Sequence, residues 1–322
     1  MIANSGEYRK KNGQRGYVMM NNFIFENKTK VYFGKGGVKE YLGGLLANFG
    51  ETVMLAYGGG SIKCNGVYDE IMGILNAQGK CVVEFSGIMS NPTYAKVQEG
   101  AKLARENHVD LILAAGGGSV SDCCKVISGA FDTLSHAMET YFGKPDENNL
   151  SDDINEAVMR SVIRNIRILL TDPENYDARS ELAQASAMAE NGVLKIGKVT
   201  DFQAHQIQHQ LGAYTDCNHG AGLAVIHPVL YRHIYKSGAA RFARFAQNVW
   251  GIAPKGSDGE TAAGIDALAA FIKEIGLPTS FAELGIPADT DFRAVADSTN
   301  ITAGCCKKLT HDEIYEILQE CL

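Results

Sequence analysis

Two runs in the first half of the chain have a form that few folds accommodate. Each is an apolar stretch that leads directly into three glycines and a serine: "TVMLAYGGGS" at 52–61 and "VDLILAAGGGS" at 109–119. The segments around them alternate between strand-like and helical patterns: "KVYFG" at 30–34, a helix at 68–79, "CVVEFSG" at 81–87, and a helix opening with Asn-Pro at 91–107. Apolar strands that alternate with helices predict a parallel, doubly wound α/β sheet.

The second half of the chain has a different character, because strand-like runs nearly vanish after residue 129. Apolar residues recur at helical spacing in five segments: 151–170, 178–192, 240–251, 261–276 and 310–322. The first of these has an acidic first turn and places Arg164 and Arg167 in its last half, as the helix dipole favours. We therefore predict an α/β domain at 20–128 and an all-helical domain at 129–322. Residues 1–19 are polar, basic and aperiodic, which predicts a disordered or spurious extension.

Composition excludes several classes of function. A formal net charge of -7, with no block of Lys or Arg, argues against binding to nucleic acid. No apolar run approaches the roughly 18 residues that a membrane span needs. The eight cysteines include no Cys-x-x-Cys pair, and the chain has no signal-peptide pattern, so we expect reduced thiols in the cytoplasm.

The two glycine turns are candidate cofactor sites. Glycines between a strand and a helix let backbone N–H groups approach a pyrophosphate, although a plain tight turn explains "GGGSVSDCCK" at 116–125 equally well. At the earlier turn, Gly59, Gly60, Ser61 and Lys63 stand where many nucleotide-binding sheets carry an acidic residue for the ribose. Small residues beside a lysine leave room and charge for a 2′-phosphate, and the alternative is a flexible surface turn.

A second constellation has the residue types of a metal site. Asp132 and His136 are four residues apart, as are His205 and His209, so each pair shares one face of a helix. Either pair alone is more often an ordinary polar face. Together, Asp132, His136, His205 and His219 supply one carboxylate and three imidazoles, which is a plausible ligand shell for Fe²⁺ or Zn²⁺.

In this order, the motifs resemble the iron-containing (group III) alcohol dehydrogenase family, in particular its butanol dehydrogenase branch. The resemblance covers nearly all of residues 20–322. It rests on "NNFIFENKTKVYFGKGG", "YGGGSIKCNGVYDEI", "SNPTYAKVQEGAKLARE", "LAAGGGSVSDCCK", "GAFDTLSHAMETYF", "AHQIQHQLGAYTDCNHGAGLAVIHP" and "LTHDEIYEIL". Each motif is weak by itself, and the ordered set is specific.

The resemblance implies a dehydroquinate synthase-like architecture and a role for each matching residue. Asp132, His136, His205 and His219 match the metal ligands, while His209 matches a catalytic histidine near the nicotinamide. The residues that match cofactor contacts are Asn91, Pro92, Thr93, Gly116, Gly117, Gly118, Ser119, Asp122 and Lys125. Gly59 falls where NAD-preferring members carry an acidic residue, so NADP(H) is expected over NAD(H). The implied reaction is hydride transfer between NADP(H) and a small primary alcohol or aldehyde such as butanol or its aldehyde, and a homodimer is expected.

The sequence differs from the family pattern in the length of one interval, and two hypotheses explain the difference. Only Val126, Ile127 and Ser128 lie between the "GGGSVSDCCK" motif and Gly129, where the family carries a much longer interval that includes a further cofactor-binding stretch. Either the segment is missing only from this sequence, or the gene carries an in-frame deletion that truncates the sheet. The chain is then either an active dehydrogenase or a remnant that binds metal without cofactor. A glycerol-dehydrogenase-like enzyme that uses NAD and zinc is a third reading, disfavoured by Gly59 and the His205–His209 pair.

Overall fold

The computed structural model describes residues 24–27, 29–89, 94–116, 123–145, 147–253, 259–302 and 306–322. The chain divides into two compact units. One unit is Lys28–Val126, and the other is Ile127–Leu322, to which Ile24–Asn27 also belongs. The predicted extension at 1–19 lies outside the described residues.

The first unit is an α/β layer built on three strands. Its elements in chain order are α1 (Gly37–Leu46), β1 (Thr52–Tyr57), α2 (Ser61–Cys64), α3 (Val67–Ala77), β2 (Cys81–Phe85), α4 (Tyr94–Glu106) and β3 (Leu111–Ala115). The strands are all parallel in the order β2–β1–β3, with Leu55 opposite both Glu84 and Leu113. The predicted parallel sheet is confirmed.

The central strand β1 is buried on both faces, which explains why its sequence is a continuous apolar run. On one face, Leu55 packs with Leu46 from α1 and Leu75 from α3. On the other, Met54 packs with Phe85. Strand β3 differs, because Ile112 keeps 60% of its surface exposed. The described core of this unit is therefore centred on β1.

The prediction of a strand at 30–34 is wrong, because the described residues there have no regular structure. Val31, Tyr32 and Phe33 expose 71%, 46% and 57% of their surface. Their side chains favour β-structure, but that preference reflects packing on a pleated, half-buried surface. No described strand pairs with this segment.

The second unit is helical, as predicted. Its helices are α5 (Cys123–Tyr141), α6 (Leu150–Thr171), α7 (Tyr176–Glu190), α8 (Gln203–Thr215), α9 (His219–Ile234), α10 (Ala239–Asn248), α11 (Gly259–Glu274), α12 (Phe292–Ser298) and α13 (His311–Glu320), the first of them starting in the preceding unit. Short 3₁₀ turns occur at Val193–Lys195 and Tyr235–Gly238. None of these helices combines the length and the apolarity required to cross a membrane, a finding that applies to the described residues.

The helical unit buries charged groups as well as apolar ones. Helix α6 starts with a reciprocal capping box in which Asn149 and Asp152 each accept the other's backbone N–H. The other oxygen of Asp152 lies 2.7 Å from both Lys198 Nζ and Arg241 Nη1, and all three side chains are at most 5% exposed. Phe142 stacks on Phe242 nearby, with ring centroids 4.2 Å apart. This core is defined by polar pairing as much as by apolar packing.

Candidate metal centre

Helix α5 carries two of the predicted ligands on one face. Asp132 and His136 are one turn apart, and both are partly buried, while Phe131, Leu134 and Met138 on the remaining face are fully buried. The apolar face fixes the rotation of the helix, because turning it would expose those three side chains to water. The same packing therefore directs Asp132 and His136 to one side of α5.

Three histidine side chains converge on the Asp132 carboxylate. Asp132 Oδ1 lies 3.4 Å from His205 Nε2, 3.4 Å from His219 Nε2 and 3.7 Å from His136 Nε2. The ligand atoms of Asp132, His205 and His219 all lie within 4.8 Å of one another. Helices α5, α8 and α9 thus bring together residues that are separated by up to 87 positions in the sequence.

The residues at this point fit a divalent ion. Asp132 Oδ1 and His205 Nε2 are buried and lack a hydrogen-bond partner among the described residues. Buried polar atoms without partners are costly unless something else satisfies them. Ligands about 2.0–2.1 Å from a tetrahedral ion are about 3.4 Å from each other, which is the spacing seen around Asp132.

Two of the histidines are held from behind through their other ring nitrogen. His205 Nδ1 is hydrogen-bonded to Glu139 Oε2, and His219 Nδ1 is hydrogen-bonded to Gln208 Oε1. An acceptor on Nδ1 fixes the proton there and leaves the Nε2 lone pair free for a metal. Both rings are thus oriented for coordination.

The third histidine is held differently. His136 Nε2, the atom that faces Asp132, lies 2.9 Å from Glu190 Oε1 on α7, and the Glu190 side chain is 53% exposed. His136 Nδ1 is buried without a partner among the described residues. The nitrogen that would bind a metal is therefore engaged by a carboxylate.

The charges around the site shift the pKa values in opposite directions. Burial raises the pKa of Asp132, but the nearby imidazoles of His205 and His219 outweigh it and hold that pKa well below its ordinary value. Burial lowers the pKa of His136 to about 4, with His205 acting in the same direction. Burial also disfavours the charged form of His205, yet the Glu139 and Asp132 carboxylates raise the pKa of His205 to about 9. Burial and Asp132 raise the pKa of Glu190.

His209 lies beside the cluster and is exposed. Its ring is stacked on that of His219, with centroids 5.3 Å apart and an interplanar angle of 20°. Burial lowers the pKa of His209, helped by the neighbouring His219. A neutral, accessible imidazole therefore lies at the border of the site.

The predicted cofactor residues are only partly described. Gly59, Gly60, Ser61 and Lys63 lie together at the carboxyl end of β1, and Gly116 directly follows β3. A Cβ at Gly59 or Gly116 would meet open space. The remaining positions lie outside the described residues: Asn91, Pro92, Thr93, Gly117, Gly118, Ser119, Asp122 and the side chain of Lys125.

Lys63 is held by its neighbours. Its ammonium lies 3.7 Å from Glu84 Oε2 and stands over the rings of Tyr57 and Tyr68, 5.2 and 4.5 Å from their centroids. Both tyrosine hydroxyls donate to Glu84. Contact with Tyr57 and Glu84 raises the pKa of Lys63, so its positive charge is retained beside the glycine turn.

Sequence reasoning missed Glu139, Gln208 and Glu190. Helical spacing places Glu139 near His136 on α5 and Gln208 near His205 on α8, but it does not indicate their actual partners, which are His205 and His219. Glu190 lies 54 positions from His136, and nothing in the sequence pattern connects the two.

A parallel sheet, a helical second half and a cluster of one aspartate and three histidines are together consistent with a metal-dependent dehydrogenase. Residues 28–157 match the family described as "Iron-containing alcohol dehydrogenase", and residues 126–322 match "Fe-containing alcohol dehydrogenase family, C-terminal". The chain belongs to the iron-containing alcohol dehydrogenase family. It is therefore an oxidoreductase of the alcohol dehydrogenase class, as the resemblance implied.

Relatives and solved structures agree with this family. The chain is 28% identical to NADH-dependent butanol dehydrogenase A of Clostridium acetobutylicum, covering 94% of this chain and 100% of that protein. It is 26% identical to the NADPH-dependent aldehyde reductase YqhD of Escherichia coli, covering 83% and 90%. The crystal structure of an NADH-dependent butanol dehydrogenase A from Thermotoga maritima superposes with a TM-score of 0.87 at 27% identity, covering 95% and 100%.

The alignment with the Clostridium protein also contains a length difference. It extends over 389 residues, although this chain has only 322. Many positions of that relative therefore have no counterpart here.

Proposed function

We propose that this enzyme reversibly reduces a small aldehyde to a primary alcohol, with a divalent metal ion and a nicotinamide cofactor. The observation that carries the proposal is the convergence of three histidine Nε2 atoms within 3.4–3.7 Å of Asp132 Oδ1. The names of the relatives, which include butanol dehydrogenases and an aldehyde reductase, support a short aliphatic substrate.

Asp132, His136, His205 and His219 would hold the ion. When bound, an ion in a His₃Asp site supplies Lewis acidity toward a carbonyl or alcohol oxygen. Fe²⁺ and Zn²⁺ both suit these ligands, and the family description favours iron.

The residues of the chain have two further tasks in this proposal. The neutral imidazole of His209, exposed and stacked on His219, would orient a nicotinamide ring or exchange a proton with the substrate oxygen. The turns that follow β1 and β3 would bind the cofactor, because open backbone at Gly59 and Gly116 admits a phosphate without a clash.

We also propose a preference for NADP(H) over NAD(H). No acidic residue occurs in the turn from Tyr57 to Ser61, and the Lys63 ammonium is fixed one helical turn beyond Gly60. Lys63→Met should lower the ratio of NADPH to NADH affinity about tenfold, the value of one lost charge-assisted contact. Equal affinities in the parent protein, measured by calorimetry, would refute the preference.

The length difference supports an internal truncation of the α/β domain. Helix α5 runs without interruption from Cys123 to Tyr141, so the end of the "GGGSVSDCCK" motif and the metal ligands Asp132 and His136 share one helix. We propose a dehydroquinate synthase-like architecture with domains at 20–128 and 129–322, the first of them shortened. Intact mass of the purified protein and the gene sequence across residues 125–129 test this directly.

We propose a cytoplasmic homodimer, which the family resemblance supports. Sedimentation of the metal-loaded protein tests the dimer.

One set of titrations tests the activity. Protein loaded with Fe²⁺ or Zn²⁺ should bind NADPH with micromolar affinity and oxidise it when butanal is added. His219→Ala should abolish metal retention and the reaction together. Metal binding without cofactor binding would instead identify the remnant, and full metal content in the His219→Ala protein would refute the ligand assignment.

A further inference from the structure

We propose that two carboxylates outside the ligand set control metal affinity in opposite directions: Glu139 orients His205 for the ion, while Glu190 competes with the ion for His136. The inference rests on the metal site of the proposed function. It concerns residues to which neither the sequence pattern nor the family match gives a role.

Glu139 joins two of the helices that carry the ligands. It is fully buried on α5, and it accepts hydrogen bonds from His205 Nδ1, from Ala204 N at 2.6 Å and from His205 N at 3.3 Å. Helix α8 starts after Phe202, which has a left-handed backbone (φ 56°) and makes no side-chain cap. Glu139 therefore supplies the cap from another helix and orients the ligand ring with the same carboxylate.

Gln208 repeats this arrangement with a neutral group. Its Oε1 accepts from His219 Nδ1, and Gln208 is buried on α8, one helical turn after His205. The ring of His219 is thus fixed from α8, just as that of His205 is fixed from α5. The two acceptors connect α5, α8 and α9 into one frame around Asp132.

Glu190 acts on the other ring atom. Among the described residues, the shortest contact of His136 Nε2 is the one with Glu190 Oε1, at 2.9 Å. A contact of that length with a carboxylate is favourable when Nε2 carries a proton, and a metal requires the lone pair of the same atom. The two states exclude each other, so metal binding at His136 must displace Glu190.

The arrangement is consistent with the geometry of the cluster. The ligand atoms of Asp132, His205 and His219 lie close to one another, and His136 is not part of this set. The rings of His205 and His219 are fixed through Nδ1, and both face the Asp132 carboxylate. His136 Nε2 is also the most distant of the three nitrogens from Asp132 Oδ1, at 3.7 Å. The site is preorganised at three ligands and restrained at the fourth.

Metal titration of single variants tests both halves. Chelator-treated protein is titrated with Zn²⁺ against a chromophoric chelator, and with Co²⁺ followed by its visible absorption. Glu139→Gln should weaken Zn²⁺ binding about 10- to 100-fold, the usual effect of losing an outer partner of a ligand histidine. Glu190→Leu should strengthen it roughly three- to tenfold, because a half-exposed ion-pair-like contact is lost from the metal-free state only.

Matched controls separate these effects from folding and from net charge. Glu156→Gln removes another buried carboxylate of the helical unit, one that accepts from Tyr141, Arg244 and Asn248, and it should lower the melting temperature without changing Zn²⁺ affinity. Glu181→Gln removes a charge from α7 away from the site, near Arg164, and should leave the affinity unchanged.

A spectroscopic readout distinguishes orientation from general support. In Zn²⁺-loaded protein with ¹⁵N-labelled histidine, His205 should carry its proton on Nδ1, and the Glu139→Gln spectrum should show loss of that single tautomer. Unchanged affinity and an unchanged tautomer in a folded Glu139→Gln protein would overturn the role of Glu139.

A different result would contradict the proposed competition between Glu190 and the ion. If Glu190→Leu weakens metal binding and alters the Co²⁺ absorption bands, Glu190 is itself a ligand and not a competitor, and unchanged affinity also refutes competition. The His219→Ala protein is measured alongside. If it keeps its metal, the proposed site is wrong; if it loses the metal while the Glu139 and Glu190 variants behave like the parent, only this inference is wrong.

Discussion

The two units of the molecule differ in what they bury. In the described part of Lys28–Val126, every buried side chain is apolar or aromatic, from Leu46 to Ala115. The helical unit also buries charged and polar side chains such as Glu139, Asp152 and His205. An apolar core tolerates substitutions that conserve volume, and its stability does not depend on pH. A buried charge, in contrast, destabilises the fold once its partner is lost. We therefore expect the stability of the helical unit to depend on individual ion-pair partners, on pH and on metal binding.

The largest expected effect is on the metal itself. Asp132→Ala removes the anion on which all three histidines converge, so the loss of affinity should exceed the roughly 100-fold that an outer partner contributes. Zinc content after dialysis, measured by mass spectrometry, should fall close to zero. Retention of one zinc per chain would show that Asp132 is dispensable.

A second prediction concerns the buried ion cluster. Among the described residues, Lys198→Met leaves Asp152 with Arg241 as its one cationic partner at full burial, and breaking a buried pair costs about 3–5 kcal/mol. The free energy of unfolding in urea should fall toward the lower end of that range, because Arg241 remains. A loss below about 1 kcal/mol would mean that the helical unit tolerates buried charge better than its packing indicates.

The sequence predicted much of the difference between the α/β unit and the helical unit, but not all of it. Helical periodicity and apolar runs predicted the three strands and most of the longer helices, because burial patterns repeat with the period of each element, but α1, α9 and α12 were not predicted. The spacing of Asp132 and His136 placed both on one face of a helix. Glu139, the partner of His205, and Glu190, the partner of His136, were missed, because which polar group meets which histidine depends on how α5, α7 and α8 pack. The run at 30–34 failed for the same reason, since a strand needs a neighbour that no local pattern specifies.

A third prediction concerns the pH dependence of stability, to which the buried histidines of the helical unit contribute. In metal-free protein, burial lowers the pKa values of His136 and His227 to about 4, below the unfolded value, so stability should rise as pH increases from 4 toward 6.5. His205 has a pKa raised to about 9 by Glu139 and Asp132 against the effect of burial, so the stability it contributes is lost as pH rises from 6.5 through 9.

Melting temperature measured from pH 4 to 9.5 should therefore peak near pH 6.5. Zn²⁺ should flatten the alkaline limb, since the metal replaces the proton on His205 Nε2. His205→Asn should remove the same limb without metal. An alkaline limb that is identical in the His205→Asn protein would exclude His205 as its source.

The smallest effect is expected at the edge of the described sheet. Ile112 on β3 is 60% exposed, so Ile112→Thr should change the free energy of unfolding by less than about 0.5 kcal/mol. Leu55→Ala on the buried strand β1 is the matched control and should cost about 2–5 kcal/mol. Equal losses from the two variants would show that β3 is covered in solution, for example by another chain.

The capping of α8 by Glu139 has a consequence for the order of events during folding. The first turn of a helix is the hardest to form, and here its acceptor lies 65 residues earlier in the chain. The first turn of α8, with His205 in it, gains that acceptor only once α5 has docked. At the proposed site, we therefore expect ion capture to follow the docking of α5 against α8, so that a bound ion would report that these helices have assembled.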